Sequence, residues 1–140
     1  MSERVSNALR RQLYQIARHR CEYCLYPADL ADFPHEPDHI VPLQHGGKTE
    51  LDNLALACFP CNRRKGLNVG SYDELTGQLT RLFHPRHDAW LTHFELVNGF
   101  IRPKTDIGRV TVRLLTLNDD RRVCERLLAM ELGLLKVQDA

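Results

Sequence analysis

Cys21-Glu22-Tyr23-Cys24 and Cys58-Phe59-Pro60-Cys61 are two Cys-x-x-Cys pairs in a chain of 140 residues. A Cys-x-x-Cys turn directs two sulfur atoms toward one point, and two such turns complete a tetrahedral four-sulfur site that suits zinc. Because sulfur fills all four positions, the ion would be closed to water and structural. The spacing therefore predicts a structural Zn²⁺ bound by Cys21, Cys24, Cys58 and Cys61.

The cysteines allow two other interpretations, four buried thiols or two disulfide bonds. The N-terminal residues are polar and contain no apolar secretory segment. We therefore expect a cytoplasmic, reducing environment, in which disulfides are rare. The fifth cysteine, Cys124, stands alone in a helical pattern and is predicted to be a small core residue.

The composition indicates one soluble globular domain. Hydrophobic residues make up 43% and charged residues 26% of the chain, which is typical of such domains. No apolar run approaches the roughly 20 residues that span a bilayer, so we expect no membrane segment. A chain of this length supports one core, which predicts a single domain over residues 1–140. The net charge of +1 restricts any nucleic-acid contact to a local basic patch.

The N-terminal half predicts helices and strands around the cysteine pairs. An apolar stripe after a Ser6 cap predicts a helix over residues 6–19. Three prolines make residues 25–37 irregular. Short apolar runs predict strands at His39–Leu43 and Leu54–Ala57, and the second pair is expected to open a short helix around Asn62–Gly66.

The C-terminal half reads as a supporting layer. Asn98-Gly99 is a strong hairpin signal between Trp90–Val97 and Phe100–Pro103. Thr105-Asp106 is expected to cap a helix over Ile107–Leu117, and a last helix is predicted from about Asp119 to Leu135. Its stripe consists of Val123, Leu127, Met130 and Leu134. Such spacing favours core packing over a partner-binding groove.

Between and beside the cysteine pairs lies a set of short motifs: Asp38-His39-Ile40-Val41-Pro42, Gly46-Gly47, Asp52-Asn53-Leu54 and Asn62-x-x-Lys65. Together with the cysteines, this order and spacing resembles the HNH nucleases, in particular a small bacterial branch with a four-cysteine zinc. The resemblance covers about residues 18–68. The remainder, about 69–140, is more loosely similar to an extension found on small members.

The resemblance implies a fold and an activity. The fold is α+β, with a ββα-metal (His-Me finger) core clasped by the four-cysteine zinc site. An N-terminal helix and a C-terminal hairpin with helices would surround that core. The implied activity is that of a metal-dependent endonuclease, a hydrolase of DNA phosphodiester bonds. DNA is thus the expected partner, for a monomer or weak homodimer; no protein partner is indicated.

Chemistry and resemblance together suggest roles within the core. Histidine titrates near neutrality, so His39 is the candidate general base for the attacking water. Neighbouring strand residues face opposite sides of a sheet, so Asp38 and His39 do not lie side by side. The resemblance implies that Asp38 binds a catalytic cation, with Asn62 as the second ligand. Many family members have histidine where this chain has Asn62. Two oxygen ligands favour Mg²⁺ or Mn²⁺. Asn53, the middle residue of the HNH signature in this resemblance, would complete the catalytic set by fixing the loop that orients His39.

Each site residue has an alternative interpretation. Asp38 could cap a turn and His39 could be a core histidine, although the constellation argues against both. Asn53 could be an ordinary turn residue, and Asn62 only a helix cap. The basic residues Arg63, Arg64 and Lys65 are expected to contact the phosphate backbone rather than form a solvated face. His35 and His45 are competing histidines without a compelling spacing.

Three functions remain open on this sequence. The first is a DNA endonuclease. The second is a zinc-stapled module, that is, a nucleic-acid-binding domain whose fold is stabilised by the structural zinc and that has no catalytic activity. The third is a structural zinc domain for protein contacts. The joint presence of Asp38, His39 and Asn62 favours the first, because a domain without catalysis has no chemical need for all three. The chain shows no long basic arm that could read a base sequence, so we expect weak sequence specificity.

Overall fold

The computed structural model describes residues 4–137. Its helices are α1 (Asn7–Ile16), α2 (Phe59–Lys65), α3 (Trp90–His93), α4 (Asp106–Leu114) and α5 (Asp120–Glu131). Its strands are β1 (Glu36–His39), β2 (Leu54–Ala57), β3 (Gly70–Tyr72), β4 (Leu79–Arg81), β5 (Phe94–Val97) and β6 (Phe100–Pro103). Within the described residues, the strands form three antiparallel pairs, β1–β2, β3–β4 and β5–β6. The protein is thus a mixed α and β structure with short sheets.

Strand β2 is buried on both faces, which explains its uninterrupted apolar sequence. Leu54 and Leu56 pack against Leu13 of α1, while Ala55 and Ala57 belong to the larger core. A strand covered on both sides does not need the alternation of polar and apolar residues that a half-exposed strand shows. One residue separates β2 from helix α2, which begins at Phe59 rather than around Asn62. The helix ends at Lys65, with Gly66 as its C-cap as the sequence predicts. The pair β1–β2 and helix α2 therefore form a compact strand–strand–helix unit.

The main hydrophobic core joins the two halves of the chain, since its buried residues run from Cys21 to Leu135. The predicted Asn98-Gly99 turn is present, and both residues have positive φ angles (51° and 86°). The predicted caps Ser6 and Thr105 are also present, and each accepts a hydrogen bond from a backbone N–H in the first turn of its helix. Asp119 caps α5 in the same way. None of the described helices is long and apolar enough to cross a membrane.

Several predicted boundaries were wrong. Strand β1 begins at Glu36 and ends at His39, rather than covering His39–Leu43. Beyond His39 the chain still lies beside β2, but the side chain of Asn53 pairs with the backbone of Val41 in place of a strand residue. The segment Trp90–Val97 is also mixed, because its first four residues form α3.

The last helix differs most from the sequence prediction. It ends at Glu131 instead of Leu135. Two residues beyond Glu131, Gly133 adopts a positive φ of 73°, which is typical of a helix C-terminus. In the predicted stripe, Val123 is buried but Leu134 is exposed. Cys124 is exposed, so its prediction as a core residue was wrong.

Candidate active site and zinc centre

The four paired cysteines converge as predicted. All four are buried, none forms a disulfide, and their sulfur atoms lie within 4.8 Å of one another. Cys24 Sγ lies 3.6 Å from Cys58 Sγ, and hydrogen bonds with the Cys21, Cys58 and Cys61 thiols lower the pKa of Cys24. Four buried sulfurs at these separations are suited to a tetrahedral ion. This centre is therefore a four-cysteine site of the type that holds structural zinc.

A buried arginine of α5 contacts the zinc centre. The guanidinium of Arg122 donates a 2.8 Å hydrogen bond to Cys61 Sγ and lies 3.8 Å from Cys58 Sγ. Burial alone would lower the pKa of Arg122, but the neighbouring cysteine thiolates raise it. The zinc centre therefore includes a positive charge from the C-terminal half of the chain.

Asp38 and Lys65 form a buried ion pair between β1 and α2. Lys65 Nζ lies 3.2 Å from Asp38 Oδ2, and the hydroxyl of Tyr23 donates to the same oxygen at 2.9 Å. Burial raises the pKa of Asp38, against the lowering effect of the Lys65 charge. Lys65 Nζ also donates a 3.0 Å hydrogen bond to the backbone carbonyl of His39. Lys65 thus fixes both the acid and the backbone of the neighbouring histidine.

This pairing changes two expectations. Lys65 is only 1% exposed, so it cannot meet a phosphate backbone as we expected. Asp38 is 5% exposed, and its carboxylate is already engaged by Lys65 and Tyr23. The side chain of Asn62 is half-buried and makes no hydrogen bond to another described residue. A cation at Asp38 would have to displace the Lys65 ammonium group, so the donor set as arranged does not fit a catalytic Mg²⁺ or Mn²⁺.

His39 is half-buried at the end of β1. Its Nε2 atom forms a 2.8 Å hydrogen bond with the hydroxyl of Thr49, and no hydrogen bond joins its Nδ1 atom to another described residue. A neutral imidazole whose Nε2–H donates to a hydroxyl keeps a lone pair on Nδ1. In that tautomer of His39, Nδ1 is able to accept a proton.

Asn53 fixes the loop that connects β1 to β2, which is the contact expected of it. Its Oδ1 accepts from the Val41 N–H, and its Nδ2 donates to the carbonyls of Val41 and Lys48, each at 2.9 Å. We call these three hydrogen bonds the Asn53 clasp. Gly47 lies against it, and a Cβ added at Gly47 would meet Val41 O at 1.7 Å and Asn53 Nδ2 at 2.8 Å. The loop needs Gly47 for space, whereas Gly46 has a positive φ of 91°.

The remaining histidines lie outside this arrangement. His35 is fully buried, and its Nε2 is bonded to the Tyr26 carbonyl, so it cannot reach a phosphate. His45 is exposed on the loop after β1. His84 and His87 stack with ring centroids 3.9 Å apart, and His87 contacts Asp52. Among the described residues, the four cysteines are the one group of three or more His, Cys, Asp or Glu side chains whose ligand atoms lie close enough to hold a metal ion.

The outer face of α2 is basic and aromatic. Arg63 and Arg64 are exposed, and the Arg63 guanidinium lies 5.9 Å from the centre of the Phe59 ring. Phe59 in turn contacts Phe33, with centroids 5.3 Å apart. These residues line a groove of about 420 Å³ beside the zinc centre, which Arg121 and Glu125 of α5 also border. Arg63 and Arg64 are therefore accessible to a polyanion, in contrast to Lys65.

Sequence reasoning did not identify Tyr23, Thr49, Arg122 or Arg126 as parts of the site. Thr49 carries no signal, because a lone threonine in a polar loop is ordinary. Arg122 and Arg126 did leave a sign: they are four residues apart, on the same helix face as the apolar Val123 and Ala129. Arginines that share a buried face require compensating charge.

Comparison with protein-family models matches residues 21–67 to the family described as HNH endonuclease. The matched segment covers about a third of the chain and includes both cysteine pairs, His39, Asn53 and Asn62. This segment is thus similar to the HNH endonucleases, the family that its motifs predict. No curated protein and no solved structure matches the chain.

Proposed function

We propose that this protein is an endonuclease that hydrolyses DNA phosphodiester bonds, with His39 as general base. The observation that supports this most is the arrangement around His39. Its ring is bonded by Thr49, its backbone carbonyl by Lys65, and the following loop by Asn53. A general base needs a fixed ring and a free nitrogen, and this arrangement offers both within a segment that matches the HNH endonucleases.

In the proposed reaction, His39 Nε2–H donates to Thr49 and Nδ1 takes a proton from the attacking water. The water oxygen forms a new bond to phosphorus while the bond from phosphorus to the 3′ oxygen breaks. The departing 3′ oxygen is protonated by solvent, which leaves 5′-phosphate and 3′-hydroxyl ends. General-base assistance of this kind contributes about 10²–10⁴-fold in rate.

The resemblance also implies a catalytic Mg²⁺ or Mn²⁺ at Asp38 and Asn62. When bound, such an ion would stabilise negative charge at the scissile phosphate. Because Lys65 occupies Asp38 in this structure, no step above uses the ion, and cation dependence stays part of the proposal to be tested.

The proposed DNA contact is the outer face of α2. Arg63 and Arg64 are exposed there, at the helix that also carries Asn62. Guanidinium groups bind phosphates independently of base sequence, which agrees with the expectation of weak specificity. Replacing both arginines by Ala should weaken binding to unrelated DNA sequences equally and reduce its salt dependence.

The second candidate function is a zinc-stapled DNA-binding module without catalysis. The buried Asp38–Lys65 pair favours this second function, because Lys65 already occupies the carboxylate that was expected to bind the catalytic ion. An experiment that separates the two measures DNA binding and DNA cleavage on the same preparation, with Mg²⁺ or Mn²⁺ present. Binding with cleavage that His39→Ala removes supports the nuclease. Binding without any cleavage supports the module.

A further inference from the structure

The four-cysteine centre carries a charge that must be compensated. Four thiolates and one Zn²⁺ have a net charge of about −2, and the surrounding core is apolar. A buried net charge is costly unless opposite charge and hydrogen bonds lie close to it. The source of that compensation is not evident from the motifs of residues 21–67.

Two arginines of α5 are buried on the side of the helix that faces this centre. Arg122 is 7% exposed and Arg126 is 1% exposed. Neither forms an ion pair with a carboxylate in the described part of the chain. Arg122 donates to Cys61 Sγ, and its other nitrogen donates to the carbonyls of Leu115 and Thr116. The sulfur cluster is thus the negative partner that Arg122 contacts.

Arg126 is held in place by neutral acceptors. Its guanidinium donates to the carbonyls of Gly99 and Leu117 and to the side chain of Asn118. These bonds engage its Nε and Nη2 atoms but supply no negative charge. Arg126 borders the same groove as Cys24 and Cys58. Burial lowers the pKa of Arg126, and the charges of Cys24, Cys61 and Cys21 oppose that lowering.

We propose that Arg122 and Arg126 neutralise the zinc tetrathiolate, so that α5 is a functional part of the metal centre. The two positive charges equal the net charge of the loaded site in magnitude. A hydrogen bond to a thiolate also lowers its electron donation to the metal and orients its lone pairs, which is how groups outside the ligand set tune a metal site. Zinc affinity should therefore depend on the C-terminal half of the chain, outside the segment that matches the family.

The test compares two neighbouring arginines of α5 in the full-length protein. Arg122 is buried against sulfur, whereas the side chain of Arg121 is 80% exposed and pairs with Glu125. Zinc affinity is measured by competition with a chromophoric chelator for the wild type, Arg122→Met and Arg121→Met. We expect Arg122→Met to weaken zinc binding by about 10–100-fold, the usual cost of removing such a partner. Arg121→Met should match the wild type.

A spectroscopic measurement separates charge compensation from general loss of stability. In the Co²⁺-loaded protein, the sulfur-to-cobalt charge-transfer bands report the electron density on the thiolates. Arg122→Met should shift these bands, Arg122→Lys should shift them less, and Arg121→Met should leave them unchanged. If Arg122→Met does not fold, the comparison of Arg122→Lys with the wild type still reports the sulfur contact. Equal zinc affinities and unshifted bands in the folded Arg122 variants would overturn the proposal.

Discussion

Lys65 Nζ lies 3.2 Å from Asp38 Oδ2, and the two side chains are 1% and 5% exposed. The pair joins α2 to β1 directly beneath the backbone of His39. The aspartate that the resemblance assigns to a catalytic cation is therefore the anionic half of a buried salt bridge. Lys65, the lysine that was expected to contact the DNA backbone, is the cationic half of the same salt bridge.

Removing one half of this pair should destabilise the protein strongly. Lys65→Met leaves the Asp38 carboxylate buried without a cation, which typically costs about 3–5 kcal/mol. Urea unfolding of the zinc-loaded protein measures the change. Arg64→Met is the control, since Arg64 is exposed and surface changes usually stay within about 0.5 kcal/mol. Equal stabilities for the two variants would show that Asp38 does not depend on Lys65.

Thr49 should act as a positioning residue for His39. Thr49→Val preserves the shape of the side chain but removes the hydroxyl bonded to Nε2. A hydrogen bond of this kind is worth about 1 kcal/mol, so we expect a several-fold lower cleavage rate and an altered pH–rate profile. Thr49→Ser, which keeps the hydroxyl, should restore both. If the pH–rate profile of Thr49→Val is identical to that of the wild type, Thr49 does not position His39.

The two adjacent glycines should respond differently to alanine. In Gly47→Ala the new methyl group would overlap Val41 O and press on Asn53, so the loop must move and cleavage should fall sharply. In Gly46→Ala the methyl group meets nothing within 4 Å, and the expected cost is the roughly 1–2 kcal/mol of a left-handed residue. Cleavage rates at equal folded fraction distinguish the two. Retained activity in Gly47→Ala would contradict the role of the Asn53 clasp.

The Asp73–Arg109 pair should contribute to acid sensitivity. Arg109 donates two 2.9 Å hydrogen bonds to the Asp73 carboxylate, and these lower the pKa of Asp73. The folded state then binds fewer protons than the unfolded state. The stabilisation is present above the ordinary pKa of about 4 and is lost as pH falls toward the folded pKa. Urea midpoints of the wild type and Asp73→Asn should differ at pH 6 and converge toward pH 3. A constant difference would show that the carboxylate charge is not responsible.

The features that the sequence predicted correctly are those that depend on residues close together in the chain. Cysteine spacing, the caps at Ser6 and Thr105, and the Asn98-Gly99 turn each depend on a few neighbouring residues, and all are present. The interaction of Asn53 with the β1–β2 loop was also predictable, because the motif places an amide at the start of β2. These features need no knowledge of distant contacts.

Long-range pairing explains what the sequence did not reveal. Arg122 meets Cys61 across 61 positions of the chain, and Lys65 meets Asp38 across 27. Lys65 looks like a surface cation when only its neighbours are considered. The helix face that Arg122 shares with Ala129 indicates a need for opposite charge but does not identify its source. Burial of a charge is decided by the partner that the fold brings to it, and no local periodicity encodes that partner.

We propose above that His39 removes the proton from the attacking water. The most direct measurement is nicking of supercoiled plasmid by the wild type and His39→Ala, each shown to be folded and zinc-loaded, with Mg²⁺ or Mn²⁺ present. We expect open-circular product from the wild type and a rate about 10²–10⁴-fold lower for His39→Ala, with DNA binding unchanged. Cleavage by His39→Ala at the wild-type rate, or no cleavage by the folded, zinc-loaded wild type, would contradict it.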